Sequence, residues 1–221
     1  MTGTADILAR LAAIDTCALS DALDKLGLAG QVSGLRRESG EGRVAGIAVT
    51  VRLGTGDPPP GPPTHLGTKA IEASDTCSII VVEQRTGVEA GCWGGLLTRG
   101  ARHAGVRGVV ADGPVRDIDE ARELGFPIFT NKLTCFTARG RVVEKATNVP
   151  VRIGDVIVEP DDFIVADGSA VIVIRPQTVE AVLAAAEAIG AREAAMINEI
   201  GRGTRMSEVL GGNYEHMLRE D

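Results

Sequence analysis

Val109-Val110-Ala111-Asp112-Gly113-Pro114-Val115-Arg116-Asp117-Ile118-Asp119-Glu120 is the stretch on which the reading of the fold turns. Its apolar start predicts a buried strand over Gly108–Ala111. Gly113-Pro114 predicts a turn, and a charged cluster follows at once, with a short helix expected over Asp117–Leu124. Strand, turn and helix start in that order form one unit of an α/β fold. In such sheets, ligands gather outside the carboxyl ends of the strands. Asp117 and Glu120 stand three apart on the expected first turn, so both carboxylates can face one side. Oxygen donors completed by water suit Mg²⁺ or Mn²⁺. Arg116 adds a permanently charged planar fork suited to a carboxylate or an enolate. A plainer reading also fits, since acids in a first turn favour the helix dipole and Arg116 can form a surface ion pair. Spacing alone does not choose between them.

The rhythm holds on both sides of this stretch. Upstream, Ala45–Leu53 and Cys77–Glu83 predict strands, and residues 66–74 and 94–104 predict helices. The second of these helices opens with Trp93-Gly94-Gly95-Leu96-Leu97-Thr98. Paired glycines let a backbone approach closely, and the free N–H groups of a helix start can hold a carboxylate. Close helix packing would explain the same glycines. Two helices are expected at the start. The first is capped by Thr4 and carries Ile7, Leu8, Leu11 and Ile14; the second runs from Thr16, carries Leu19, Ala22, Leu23 and Leu26, and stops at Gly27. Residues 28–42 read as loop. Gly54–Thr64 holds five prolines and three glycines, which excludes regular structure and leaves a surface loop or a lid.

Downstream, Pro127–Thr130, Val142–Val151, Val156–Val158, Phe163–Ala166 and Val171–Ile174 predict strands, with a tight hairpin at Asp167–Gly168. A long helix is expected from Pro176, with Val179, Val182, Leu183, Ala186 and Ile189 on one face and Gly190 as a point of kinking. No internal repeat or domain boundary is evident, so residues 1–221 read as one domain.

Composition narrows the function. Aromatics are 3% of 221 residues and net charge is −7, which argues against base-stacking platforms and a basic nucleic-acid face. A compact basic pocket for a small anion remains compatible with that charge. No apolar run reaches membrane-span length, and no signal pattern opens the chain. With Cys17, Cys77, Cys92 and Cys135 widely spaced, the chain reads as a cytoplasmic protein with reduced thiols. Dinucleotide, P-loop and nucleophile-elbow motifs are missing, and His65, His103 and His216 are too scattered for a helical zinc motif.

Gly95, twenty residues, Arg116-Asp117, two more and Glu120 form a combined pattern. It resembles the RraA-like family, which contains the regulator of ribonuclease E activity A and the 4-hydroxy-4-methyl-2-oxoglutarate aldolases and oxaloacetate decarboxylases. Ser78–Glu83, Gly105–Gly113 and Val151–Pro160 agree with it. The resemblance implies a layered β/β/α domain of the swivelling type with N- and C-terminal helices. It also implies a homotrimer, with pairing into hexamers open, and sites between subunits. It further implies that amides of Gly94, Gly95, Leu96 and Leu97 hold a substrate carboxylate, that Arg116 contacts the 2-oxo oxygen, and that Asp117 anchors a divalent metal largely through water. Glu120 matches the acid of one aldolase branch and separates this chain from the typical ribonuclease regulators. A further acid would come from a neighbour's C-terminal helix, with Glu193 the match and Glu199 the alternative. The expected activity is metal-dependent C–C cleavage of a small 2-oxo acid through a pyruvate enolate. The alternatives are a non-catalytic trimeric module that regulates a ribonuclease, and a related metal lyase with its own substrate. The Pro-rich stretch Asp57–Pro63 departs from the family's usual loop and leaves substrate identity open, and Asp161 and Ser169-Ala170 replace glycine-containing turns.

Overall fold

A computed structural model describes residues 3–62 and 64–211 of the chain. Its elements are α1 (Thr4–Ala13), α2 (Thr16–Lys25), β1 (Gln31–Val32), β2 (Arg36–Ser39), β3 (Val44–Gly54), α3 (Thr68–Glu72), β4 (Ser78–Glu83), α4 (Gly95–His103) and β5 (Gly108–Val115). After these come α5 (Ile118–Glu123), β6 (Ile128–Leu133), β7 (Val143–Thr147), β8 (Val151–Ile153), β9 (Val156–Val158), β10 (Phe163–Ala166), β11 (Val171–Ile174), α6 (Val179–Gly201) and α7 (Met206–Val209).

The main sheet has nine strands, ordered β1-β11-β10-β3-β4-β5-β6-β2, with β7 paired to the end of β3. β3, β4, β5 and β6 run parallel, so their carboxyl ends share one edge. β4 shows why the layers form. Ile80 and Val82 face the helix-side core with Ala70, Leu97, Ala101 and Ala121, while Ile79 and Val81 face Val151, Ile153 and Val158. A strand covered on both faces must be apolar at every step, which the run Ser-Ile-Ile-Val-Val-Glu provides. The second cover is the β8–β9 ribbon, so the layers are helix, sheet, ribbon. A third cluster packs α1, α2 and α6 on Phe163, Val165, Ile172 and Ile174. This is the expected mixed α/β architecture.

Several local expectations change. Gly113-Pro114 is not a turn: β5 continues through it to Val115, with a register shift between Ala111 and Pro114. Proline fits there because the bulged ladder demands no N–H from it. Residues 28–42 contain β1 and β2, two short edge strands without apolar alternation. Thr4 is the first residue of α1 rather than its cap; Gly3 holds that position with no side-chain bond. Asp15 caps α2 by accepting from the Ala18 N–H at 2.8 Å. α6 starts at Val179 and runs unbroken through Gly190. Pro63 and His216 lie outside the described residues.

Two acids, buried Asp112 and half-buried Asp167, tie the layers together. Asp112 accepts from Asn131 Nδ2 at 2.7 Å, Gly154 N–H at 2.9 Å and Arg85 Nη1 at 3.1 Å, joining β5 to β6, to the loop after β4 and to the ribbon turn. Asp167 accepts from Thr16 N–H at 3.0 Å, Thr16 Oγ1 at 2.7 Å and Ser169 N–H at 2.8 Å. Burial by itself would raise the Asp167 carboxyl, but these donors hold it below the ordinary carboxylate range.

Asp112→Ala removes the buried carboxylate that gathers three hydrogen bonds and should destabilise the fold by about 1–3 kcal/mol. Asp155→Ala, at a fully exposed side chain, should stay within about 0.5 kcal/mol. Urea unfolding of both variants checks this. Asp167 has a lowered folded pKa, so its contribution is present above the ordinary carboxylate range and lost as pH falls through the lowered one. Asp167→Asn should therefore weaken the protein at neutral pH and flatten the acid side of its stability curve, read as Tm against pH.

Candidate active site

The site forms where the chain returns after β4 to run beside the end of β5. Trp93 pairs with Val115 as a parallel bridge. Cys92 N–H donates to Pro114 O at 2.7 Å, and Arg116 N–H donates to Trp93 O at 3.0 Å. The Trp93 ring is buried among the helix-side core residues, and its Nε1 donates to Thr98 Oγ1 at 3.0 Å. Thr98 Oγ1 donates in turn to Gly94 O at 3.0 Å. Indole, hydroxyl and carbonyl thus lock the first turn of α4 to the strand end. Gly94-Gly95 is set beside Arg116-Asp117 as a result.

Asp117 caps α5 in the left-handed region, at φ 56° and ψ 37°. Among non-glycine residues this conformation is uncommon, and aspartate tolerates it better than most. It turns the carboxylate back toward α4, where Oδ2 accepts from the Gly95 N–H at 3.1 Å. Arg116 Nε lies 3.2 Å from Asp117 Oδ2, and the two side chains are each 35% exposed. Among the described residues, the Arg116 Nη groups make no hydrogen bond, so the fork is available to a ligand.

Glu120 comes in from one turn along α5. A Cβ added at Gly95 would stand 2.7 Å from its carboxylate, and one added at Gly94 would stand 2.9 Å from Asp117 Oδ2. The two glycines therefore make a cradle that any side chain would fill. Arg99, four residues after Gly95 on α4, donates from Nε to Glu120 Oε2 at 3.1 Å. Gly95 N–H is used by Asp117, and Thr98 N–H by Gly94 O. The N–H groups of Leu96 and Leu97 between them have no intrahelical acceptor, as at any helix start. They face a net positive dipole end suited to an anion. Leu96 is 87% exposed beside them.

Arg116, Asp117, Glu120 and Gly94–Leu97 are thus gathered at one place. Glu193 is not with them in the same chain: it lies by Asp15 and Asp21, and burial together with those charges raises its carboxyl. His103 ends α4, about 12 Å along the helix from Gly95. His65 is exposed, with Nδ1 2.9 Å from Leu66 O. Cys92 is no nucleophile, because burial pushes its thiol up to about 12. Residues 55–62 of the Pro-rich loop are exposed and leave from the same sheet edge. The loop returns onto the site: a Cβ at Gly67 would meet Leu97 Cδ1 at 3.2 Å and Trp93 Cζ3 at 3.3 Å. Arg99 carries no local signal in the sequence, because its partner Glu120 stands on the next helix.

Chemically, Asp117 and Glu120 are hard oxygen donors around an open cradle, which fits Mg²⁺ or Mn²⁺ with water completing the shell. Among the described residues, no group of three or more His, Cys, Asp or Glu could hold a metal alone. A hollow of about 660 Å³ lies on the ribbon side of the same sheet edge, lined by Arg85, Asp112, Asn131 and Lys132. It excludes Arg116, so depth alone does not mark the site; the converging charges do.

The family model described as "RraA-like: Aldolase/RraA" matches residues 16–173. The chain belongs to the RraA-like family. Among its relatives is a putative 4-hydroxy-4-methyl-2-oxoglutarate aldolase of Halalkalibacterium halodurans, 31% identical over 179 residues, covering 80% of each chain. Protein DlpA of Legionella pneumophila is 26% identical over 92% of this chain, which spans only 33% of that longer protein. A solved Pseudomonas syringae structure matches with TM-score 0.85 and 29% identity, covering 95% of this chain and 94% of its own. RraAS2 of Streptomyces coelicolor, described as an unusual member of the RNase ES inhibitor RraA family, shares the fold with TM-score 0.73 at 24% identity, covering 91% of this chain and 98% of its own. The RraA-like family thus joins aldolase and ribonuclease-inhibitor names on one fold. No helix among the described residues is long and apolar enough to cross a membrane.

Gly95→Ala tests the cradle. The added Cβ meets only the tip of a flexible Glu120 side chain, so the fold should be no less stable. The carboxylate must move, so Mn²⁺ binding should weaken while urea unfolding stays as in wild type.

Proposed function

We propose that this RraA-like chain is a divalent-metal-dependent carbon–carbon lyase of the class II aldolase and decarboxylase type, acting on a small 2-oxo acid. One observation carries the reading: the Asp117 and Glu120 carboxylates and the Arg116 fork converge on the Gly94–Gly95 cradle at the carboxyl edge of the parallel strands. The putative aldolase name of a relative that covers most of this chain supports it.

In this mechanism the substrate carboxylate sits at the N–H groups of Leu96 and Leu97, where the α4 dipole and unpaired donors favour an anion. Arg116 turns its free Nη groups to the 2-oxo oxygen and stabilises the negative charge that gathers there as the C–C bond breaks. Asp117 and Glu120 are the residues that would hold the cation, with water completing its shell. When bound, that ion supplies Lewis-acid stabilisation of a pyruvate enolate. With a 4-hydroxy substrate a base must take the hydroxyl proton, and water beside Asp117 is the economical candidate. With oxaloacetate, carbon dioxide leaves and no such base is needed. One site serves both routes, because both yield the same enolate. The assembly is a homotrimer in which Glu193 from a neighbouring subunit completes the acid set, with Glu199 as the alternative.

Pyruvate release from oxaloacetate and from 4-hydroxy-4-methyl-2-oxoglutarate, with Mg²⁺ or Mn²⁺ and again with chelator, tests the reading. Release should require metal. Asp117→Ala and Arg116→Ala should each lower kcat/KM by at least ~10²-fold. His65→Ala and His103→Ala should cost less than the ~10²-fold that marks a positioned proton carrier. Folded, metal-loaded protein that releases no pyruvate from either substrate would sink the proposal and leave the binding-module reading.

A further inference from the structure

The two acids of the site are already occupied by cations of the protein itself. Asp117 is paired with Arg116, and Glu120 accepts from Arg99 Nε at 3.1 Å. Arg116 is adjacent to its partner in sequence and shares the Gly94 backbone with it, so that pair can persist when a ligand arrives. Arg99 is placed differently. It reaches Glu120 across the α4–α5 gap through a single nitrogen, and among the described residues its Nη groups make no hydrogen bond. Its side chain is 54% exposed, so it can swing into water at little cost.

We propose that Arg99 is a built-in counter-cation for Glu120, displaced when a divalent ion binds, and that the Arg99–Glu120 pair thereby sets the cation affinity of the site. The proposal rests on the reading of Asp117 and Glu120 as cation ligands. Arg99 engages Oε2 of Glu120, so a metal ion drawn to that oxygen competes with the guanidinium for it. Two positive charges at one carboxylate also repel each other. A cation bound through Oε2 would displace the Arg99 guanidinium, which the two positive charges favour. Arg99 acts on the cation only through Glu120, whose carboxylate lies against Gly95. The cost of releasing it is subtracted from cation affinity.

Mn²⁺ binding to the full-length protein, followed by the electron paramagnetic resonance of free Mn²⁺ and without substrate, tests this directly. Removing an exposed partner of this kind changes an equilibrium by about two- to five-fold, so Arg99→Gln should tighten Mn²⁺ binding by about that factor. Glu120→Gln should weaken it. In the Glu120→Gln background, Arg99→Gln should add nothing, because the competition it relieves is gone. Arg99→Lys should fall between wild type and Arg99→Gln, retaining the charge without the planar fork. Urea unfolding checks that each variant is folded. If Arg99→Gln binds Mn²⁺ as wild type does, or more weakly, while Glu120→Gln still weakens binding, the Arg99 proposal fails alone. An equal gain in both backgrounds overturns it as well, by showing a long-range charge effect. If Glu120→Gln leaves the affinity unchanged, the cation reading fails and takes this proposal with it.

Discussion

The parallel bridge between Trp93 and Val115 is the constraint on which the site depends. Without it, α4 and the end of β5 would be joined only through side chains, and their relative placement would drift by the ångström or more that ruins a catalytic geometry. The bridge is held from both sides. Cys92 and Arg116 bond across it through their backbones, and the Trp93 ring is anchored in the core while its indole N–H reaches Thr98. A buried tryptophan must satisfy that N–H. Here the satisfaction also fixes the first turn of α4, so one group meets a core requirement and a positional one together.

Given that placement, the two glycines and the two acids explain one another. The left-handed backbone at Asp117 is strained by something like 1–3 kcal/mol, and it persists because Gly95 N–H and Arg116 receive the carboxylate it presents. Glu120 in turn occupies the volume that a side chain at position 95 would need. An acid can stand at 120 only if 95 is small, and an acid at 95 would displace the one at 120. The choice of glycine and glutamate is a single steric decision distributed over two elements.

This shows why the sequence was readable in some places and silent in others. The layers were legible because β4 is apolar at every step and the helices carry apolar faces at 3.6 spacing, signals that are local. The site was legible as a cluster because Arg116, Asp117 and Glu120 are near in sequence, and the likeness in spacing to Gly95 tied in α4. Arg99 stayed hidden because its role depends on α4 facing α5, which no local pattern encodes. Gly113-Pro114 misled for the opposite reason: its local signal for a turn is strong, but the β6 pairing carries the strand through it with a bulge. β1 and β2 are two and four residues long and take their form from partners distant in the chain, Val171–Ile172 and Ile128–Thr130.

Charge arithmetic connects the geometry to the proposed chemistry. Arg99, Arg116, Asp117 and Glu120 sum to zero, so the unloaded site attracts neither a cation nor an anion strongly. With Arg99 displaced, a divalent ion alone would leave one uncompensated positive charge beside Arg116. A dicarboxylate alone would leave two negative charges beside two carboxylates. Bound together their opposite charges largely offset each other, and each lowers the cost of the other in a place partly shielded from water. On the proposed reading, cation and substrate therefore bind with positive coupling. Arg116, which stays beside Asp117, contributes to it by opposing a cation that arrives without a substrate.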